Sequence, residues 1–170
     1  AVIIYTSGTT STPKGVMLTH YNLASQINLL YNLYPIGPGD GMLSVLPMSH
    51  TYECSLGMLY VIATGATTTY LEKPPTPSVL LPALRKVRPT CFLIVPLIIE
   101  KIYNSQVLAK FTANKFMATL YGIGFIRRFL HRLAGKKLNA AFGGRARLFI
   151  GGSKLDETVE QFLMDAKVPY

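Results

Sequence analysis

Apolar and polar positions along the 170-residue chain fall into two alternating rhythms. Short aliphatic or β-branched runs at residues 1–5, 16–19, 42–46, 67–71, 91–95 and 146–150 have the length and composition of strands. Between them, spacings of three and four mark helices. Leu23, Ile27, Leu30 and then Leu33 or Tyr34 line one face of a helix that begins at His20 and stops at the Pro35–Gly39 cluster. Residues 52–63 predict a second helix closed by Gly65, residues 77–87 a third with Pro77 in its first turn, and residues 156–166 a last one. The stretch 97–138 reads as two or three helices with breaks at Gly122, Gly124 and Gly135. The first two strands can pair as a hairpin, and the run 91–95 has no polar residue, as expected of a strand buried on both faces. Strands alternating with helices predict an α/β fold with a largely parallel sheet flanked by helices.

Composition narrows the class. Hydrophobic residues make up 49% and charged residues 15%, with a mean hydropathy of +0.31. That excludes a disordered chain and gives enough apolar material for a core without disulfides. Cys54 and Cys91 are far apart with no CxxC, so neither a disulfide framework nor a zinc site is indicated and a reducing compartment is expected. The longest apolar run, Cys91 to Ile99, contains Pro96 and is short of the roughly 20 residues that span a bilayer. Residues 1–5 lack the basic flank and cleavage site of a signal peptide. An apolar strand at the first residue makes the chain read as an internal piece of something longer.

Charge is unevenly placed. The net charge is +9, and no acid occurs between Glu100 and Asp156, where eleven Lys and Arg are interleaved with Phe111, Phe116, Phe125, Phe129 and Phe142. This basic segment reads as a solvated face, as a contact for an anionic membrane, or, less well, as a nucleic-acid contact, for which no reading motif is present.

Candidate chemistry is concentrated between the first two strands, in Thr6-Ser7-Gly8-Thr9-Thr10-Ser11-Thr12-Pro13-Lys14-Gly15. Hydroxyls, glycine-borne N–H groups and one lysine between strands are what a polyphosphate needs, and a plain Ser/Thr-rich turn is the alternative. The Walker pattern is excluded, because Pro13 stands where its second glycine belongs and Gly15 where its Ser or Thr would follow. Ser11-Thr12-Pro13-Lys14 matches the S-x-x-K of serine β-lactamases, but no S-D-N or K-T-G accompanies it. Lys14 suits the role of a counter-charge to phosphates. His50 falls where a strand end meets a helix start, Ser49 beside it is a candidate helix cap, and Gly151-Gly152-Ser153 form a strand-to-turn switch.

The run YTSGTTSTPKGVMLTH resembles the phosphate-loop signature of the adenylate-forming (AMP-binding) superfamily, which includes acyl-CoA synthetases, luciferases and peptide-synthetase adenylation domains. Ser11 stands where that superfamily usually has glycine. Leu46-Pro47-Met48-Ser49-His50-Thr51-Tyr52-Glu53 is similar to its second core motif in the form found in long-chain fatty acyl-CoA synthetases. Residues 88–103 resemble the strand and helix downstream, and Phe149-Ile150-Gly151-Gly152-Ser153 resembles the turn at the adenine pocket, with Ser153 for alanine.

The resemblance implies that residues 1–170 are part of the N-terminal AMP-binding domain, with the phosphate loop at 5–16, a basic and mostly helical segment at 97–145 and the C-terminal domain absent. It implies ATP-dependent activation of a fatty acid to acyl-adenylate and then acyl-CoA, with this piece inactive alone. Thr6, Ser7, Gly8, Thr9, Thr10, Ser11, Lys14 and Gly15 would hold the ATP phosphates. His50 would lie beside the acyl-adenylate, with Lys14 and His50 as the catalytic pair, and Gly151, Gly152 and Ser153 against the adenine. ATP, magnesium held by ligands outside this chain, and coenzyme A are the implied cofactors and co-substrates. A cytoplasmic setting, with peripheral contact at the inner face of a membrane, is expected, and no nucleic-acid partner. Two alternatives stay open at this point: a non-catalytic α/β module on an anionic membrane surface, and adenylation of a different carboxylic acid.

Overall fold

The computed structural model describes residues 2–6 and 13–170. Two sheets carry the strands. β1 (Val2–Thr6) and β2 (Lys14–Leu18) form an antiparallel pair of their own, in a register that sets Thr6 opposite Lys14 and Tyr5 opposite Gly15. The second sheet is four-stranded and wholly parallel: β3 (Gly41–Ser44), β4 (Thr67–Tyr70), β5 (Cys91–Ile94) and β6 (Arg147–Ile150), in the spatial order β4-β3-β5-β6.

Helices connect these strands with boundaries close to those expected. α1 (His20–Leu33) is opened by a capping box in which Thr19 accepts from Asn22 N–H while the Asn22 side chain accepts from Thr19 N–H. After β3 comes a helix wound in the π form over Glu53–Tyr60 that continues as α2 (Val61–Thr64) and ends on left-handed Gly65. α3 (Pro77–Val87) starts on its proline as expected and tolerates the exposed Pro82 inside it. α4 (Pro96–Ile102) runs through a second π-wound stretch, Tyr103–Leu108, into α5 (Ala109–Phe111). α6 (Lys115–Gly122) and α7 (Gly124–Ala141) follow, and α8 (Glu157–Ala166) is capped by the Asp156 carboxylate, which accepts from Thr158 and Val159 N–H.

One expected break is not a break. Gly122 and Gly124 do separate α6 from α7, but Gly135 lies buried within α7. A Cβ built there would come within 2.6 Å of Ala166 Cβ and 2.7 Å of the Ala166 carbonyl. Gly135 is therefore the point where α7 and α8 approach most tightly, and helix continuity survives its low propensity because packing outweighs about 1 kcal/mol.

The core divides according to strand alternation. Cys91 and Leu93 point to one face with Met42 and Val61, against which Tyr52, Leu56 and Phe149 pack. Phe92 and Ile94 point to the other with Leu43, Leu148, Ile99 and Phe162. Both faces of β5 are thus covered, as its unbroken apolar run requires. The outer edge of β6 is closed where Leu148 N–H donates to the Pro169 carbonyl at 2.8 Å.

Candidate active site

From β3 the chain crosses to the edge strand β4, then returns past β3 to β5 on its other side. The direction of winding reverses between β3 and β5, which makes their carboxyl ends a topological switch point. Open α/β sheets bind ligands at such switch points.

The segment leaving β3 supplies the first wall. His50 N–H donates to the Pro47 carbonyl at 2.9 Å, closing a tight turn, and Cys54 N–H donates to the His50 carbonyl at 3.0 Å as the helix begins. His50 is exposed, and its Nδ1 accepts from Tyr52 N–H at 3.2 Å. The capping role expected of Ser49 thus belongs to the His50 ring. With Nδ1 accepting, a neutral His50 carries its proton on Nε2, so the ring's other nitrogen is a donor.

Tyr52 ties this turn to β6. Its hydroxyl donates to the Phe149 carbonyl at 2.8 Å, and a Cβ built on Gly151 would sit 3.0 Å from its ring. Burial pushes the Tyr52 phenol well above its ordinary value, with the Glu53 carboxyl adding to the effect. The Tyr34 ring meets Phe149 edge-on at 5.3 Å, and the Tyr60 hydroxyl donates to the Tyr34 carbonyl at 2.7 Å.

The turn after β6 supplies the opposite wall. Gly151 N–H donates to the Ile94 carbonyl at 3.2 Å, holding the turn against β5. Gly152 has φ +100°, a region a side chain rarely adopts, and Gly152 and Ser153 are exposed. The bare part of this backbone is at Gly152, since the Tyr52 ring already lies against Gly151.

The structure therefore brings His50, Gly151, Gly152 and Ser153 to the carboxyl end of the parallel sheet, whereas Thr6, Lys14 and Gly15 belong to the separate β1–β2 pair. Lys14 and Gly15 are exposed on β2. Thr6 is described by its backbone alone, at the end of β1, and Ser7, Gly8, Thr9, Thr10 and Ser11 lie outside the described residues. At Gly15 a Cβ would come within 3.1 Å of Ile3 Cγ2, so the absent side chain lets the two strands' side chains lie close.

Two features have no counterpart among the expected site residues. Glu53, one helical turn past His50, is wholly buried with both carboxyl oxygens lacking a hydrogen-bond partner. Its signals in the sequence are that it closes the stretch similar to the second core motif and that it is the single acid between Asp40 and Glu72. Farther away, His131 is buried among α6, α7 and α8, where Tyr121 Oη lies 2.7 Å from Nε2 and Asp165 Oδ2 lies 3.0 Å from Nδ1. Tyr103 Oη, 3.0 Å from Tyr121 Oη, extends the chain to the π-wound stretch after α4.

Known proteins are similar to this chain in sequence and in fold. Residues 1–168 match the family described as AMP-binding enzyme. Long-chain-fatty-acid–CoA ligase 5 of Rattus norvegicus is 32% identical over 169 residues, covering 90% of this chain and 24% of the relative. Probable acyl-activating enzyme 16, chloroplastic, of Arabidopsis thaliana is 38% identical over 121 residues, covering 69% of this chain and 16% of the relative. Among solved structures, ATP-bound MatB from Rhodopseudomonas palustris superposes with a TM-score of 0.65 at 21% identity, over 94% of this chain and 25% of that one. O-succinylbenzoate coenzyme A synthetase (MenE) from Bacillus subtilis in complex with AMP gives 0.65 at 17% identity, over 98% of this chain and 34% of that one. The chain spans between about a sixth and a quarter of the length of these two curated relatives.

Proposed function

The chain belongs to the AMP-binding enzyme family, and on that premise we propose that it is the ATP-binding part of an enzyme that activates a long-chain fatty acid. The fatty carboxylate attacks the α-phosphate of ATP, releasing pyrophosphate and forming acyl-adenylate. The thiol of coenzyme A then displaces AMP. The observation that carries the reading is the convergence of the His50 turn and the Gly151–Gly152 turn, tied by Tyr52, at the carboxyl end of the sheet where the strand order reverses. Relatives whose names state long-chain fatty acid ligation support the substrate class.

In this reading the Gly151–Ser153 turn accepts the adenine, with Gly152 its bare point, and His50 donates from Nε2 toward the reacting carboxyl or phosphate oxygens. The hydroxyl- and glycine-rich loop, with Lys14 at the start of β2, holds the leaving pyrophosphate. Its work is electrostatic: fixed N–H dipoles and one ammonium stabilise charge that grows on the leaving group, with no covalent bond to the protein. Magnesium, held by ligands outside this chain, would supply further charge on the phosphates. A chain that spans a quarter or less of the length of these two curated relatives is expected to be inactive alone.

The test is acid-dependent exchange of labelled pyrophosphate into ATP by the full-length protein, over fatty acids from acetate to oleate with an aryl acid and an amino acid alongside. Exchange that rises with chain length supports the proposal. Exchange only with aryl or amino acids moves the substrate class, and none with any acid removes the adenylation reading.

A peripheral membrane contact is a second reading, favoured by one observation. On α6 and α7, Phe116, Phe125 and Phe129 are 72%, 76% and 61% exposed, beside exposed Arg128, Arg132 and Lys136. No helix among the described residues is long and apolar enough to cross a membrane, but exposed aromatics within a cationic field suit an anionic lipid surface.

A further inference from the structure

The Glu53 carboxyl is the most anomalous group in the molecule. It is 0% exposed, and neither oxygen has a hydrogen-bond partner among the described residues. Buried polar groups in folded proteins almost always find partners, so an orphaned carboxyl calls for a reason. The fold makes room for it: a Cβ built on Gly57 would fall 2.5 Å from Glu53 Oε1 and 2.7 Å from Cδ. Only a glycine one turn on lets the carboxyl lie there. The Ser44 hydroxyl and the Leu46 backbone, which face it, belong to the end of β3 and the start of the turn that presents His50. The carboxyl is thus lodged beneath residues 44–50, between the sheet and the helix that carries it.

We propose that Glu53 is a positioning residue that holds its proton and, as a neutral acid, sets the geometry of the Pro47–His50 turn for adenylation. A buried carboxylate with no cation beside it is disfavoured, and burial raises the Glu53 carboxyl above its ordinary value, with Ser44 and Leu46 only partly opposing this. Among the described residues no ion pair involves Glu53; its ionisable neighbour is the Tyr52 phenol, itself pushed up by burial and by Glu53. A neutral carboxyl has one donor and one acceptor to offer the Ser44 hydroxyl and the Leu46 backbone, which bear on it without meeting it at hydrogen-bond geometry here. Ionising it replaces that donor by a charge that must draw in water or a cation, and the turn moves. This inference rests on the adenylation reading, and it predicts that the rate of that step falls as Glu53 loses its proton.

The test uses the full-length protein and three variants in the first half-reaction. Wild type is expected to lose kcat for pyrophosphate exchange as pH rises through a value above the ordinary carboxylic range. Glu53→Gln, neutral at every pH and able to hydrogen-bond, is expected to keep kcat within about threefold and to lose that inflection. Glu53→Met, which fills the space without a donor, is expected to fold and bind ATP but to lose at least tenfold in kcat. Glu53→Ala is the fourth protein, useful only if it folds. In parallel, the infrared carbonyl stretch of a buried carboxylic acid is expected in wild type and not in Glu53→Gln. An unchanged inflection in Glu53→Gln, a Glu53→Met enzyme as fast as wild type, or no Glu53-dependent acid band overturns the inference. If wild type performs no exchange at all, the adenylation reading fails instead, and the infrared band still decides whether Glu53 carries its proton.

Discussion

Tyr52 should be the link through which the His50 turn and the Gly151 turn act as one site, and removing its hydroxyl tests that link. In Tyr52→Phe the ring stays against Gly151 but the 2.8 Å bond to the Phe149 carbonyl is gone. A half-buried carbonyl left without its donor costs about 1–2 kcal/mol. If that loss falls on the geometry of the adenylation step, kcat/KM drops about 5- to 30-fold. Tyr52→Ala also removes the ring, at a cost of about 3–5 kcal/mol. Gly151→Ala brings a methyl to 3.0 Å from the ring and must displace it by a few tenths of an ångström. In a Tyr52→Ala background that methyl meets no ring, so the two changes should be non-additive by about 0.5–3 kcal/mol. The assay is pyrophosphate exchange together with urea unfolding of all four proteins of the cycle. Additive effects within about 0.3–0.5 kcal/mol, or a Tyr52→Phe enzyme with wild-type kcat/KM, would refute the coupling.

Other expectations follow from packing and charge. Gly135→Ala should destabilise by about 1–3 kcal/mol in denaturant unfolding although alanine is the better helix former, because its methyl overlaps Ala166; a stabilised variant would mean α7 and α8 are not packed as described. Burial holds the His131 imidazole below its ordinary value of 6.5, and Asp165 only partly offsets this. The unfolded chain then binds the proton more readily, so stability is complete above about pH 6.5 and is lost as pH falls below it. Thermal unfolding should show that acid-side loss, and His131→Gln should flatten it. Replacing Phe125 and Phe129 together by serine should weaken sedimentation of the full-length protein with anionic vesicles at least several-fold and leave pyrophosphate exchange unchanged; equal binding by both proteins dismisses the membrane contact.

Much of the framework could be read from periodicity because the sheet is parallel and covered on both faces. The apolar run at 91–95 and the proline at 77 fix β5 and α3 almost to the residue, whereas α4 reads only as part of the helical stretch 97–138. Gly135 was expected as a break because a glycine in a helical pattern reads the same way whether it ends the helix or admits a neighbour, and only the position of Ala166 distinguishes the two. The π winding over Glu53–Tyr60 and Tyr103–Leu108 is equally invisible, since it shifts hydrogen bonds by one residue without altering the apolar pattern. The site was legible only in part. Motif order singled out His50 and Gly151–Ser153, but their joining by Tyr52 depends on β3 and β6 lying on either side of β5. Glu53 closes the second-core-motif match but received no role there, because nothing local in the sequence reveals that it is enclosed.

The most direct measurement is a comparison of the two half-reactions in Lys14→Ala full-length protein, by rapid quench with ATP and fatty acid and, separately, with preformed acyl-adenylate and coenzyme A. Only the first involves pyrophosphate, so the account predicts adenylate formation slowed about 10²- to 10³-fold, with thioester formation near the wild-type rate. Equal losses in both steps, or none in the first, would contradict the assignment of the loop to the leaving pyrophosphate.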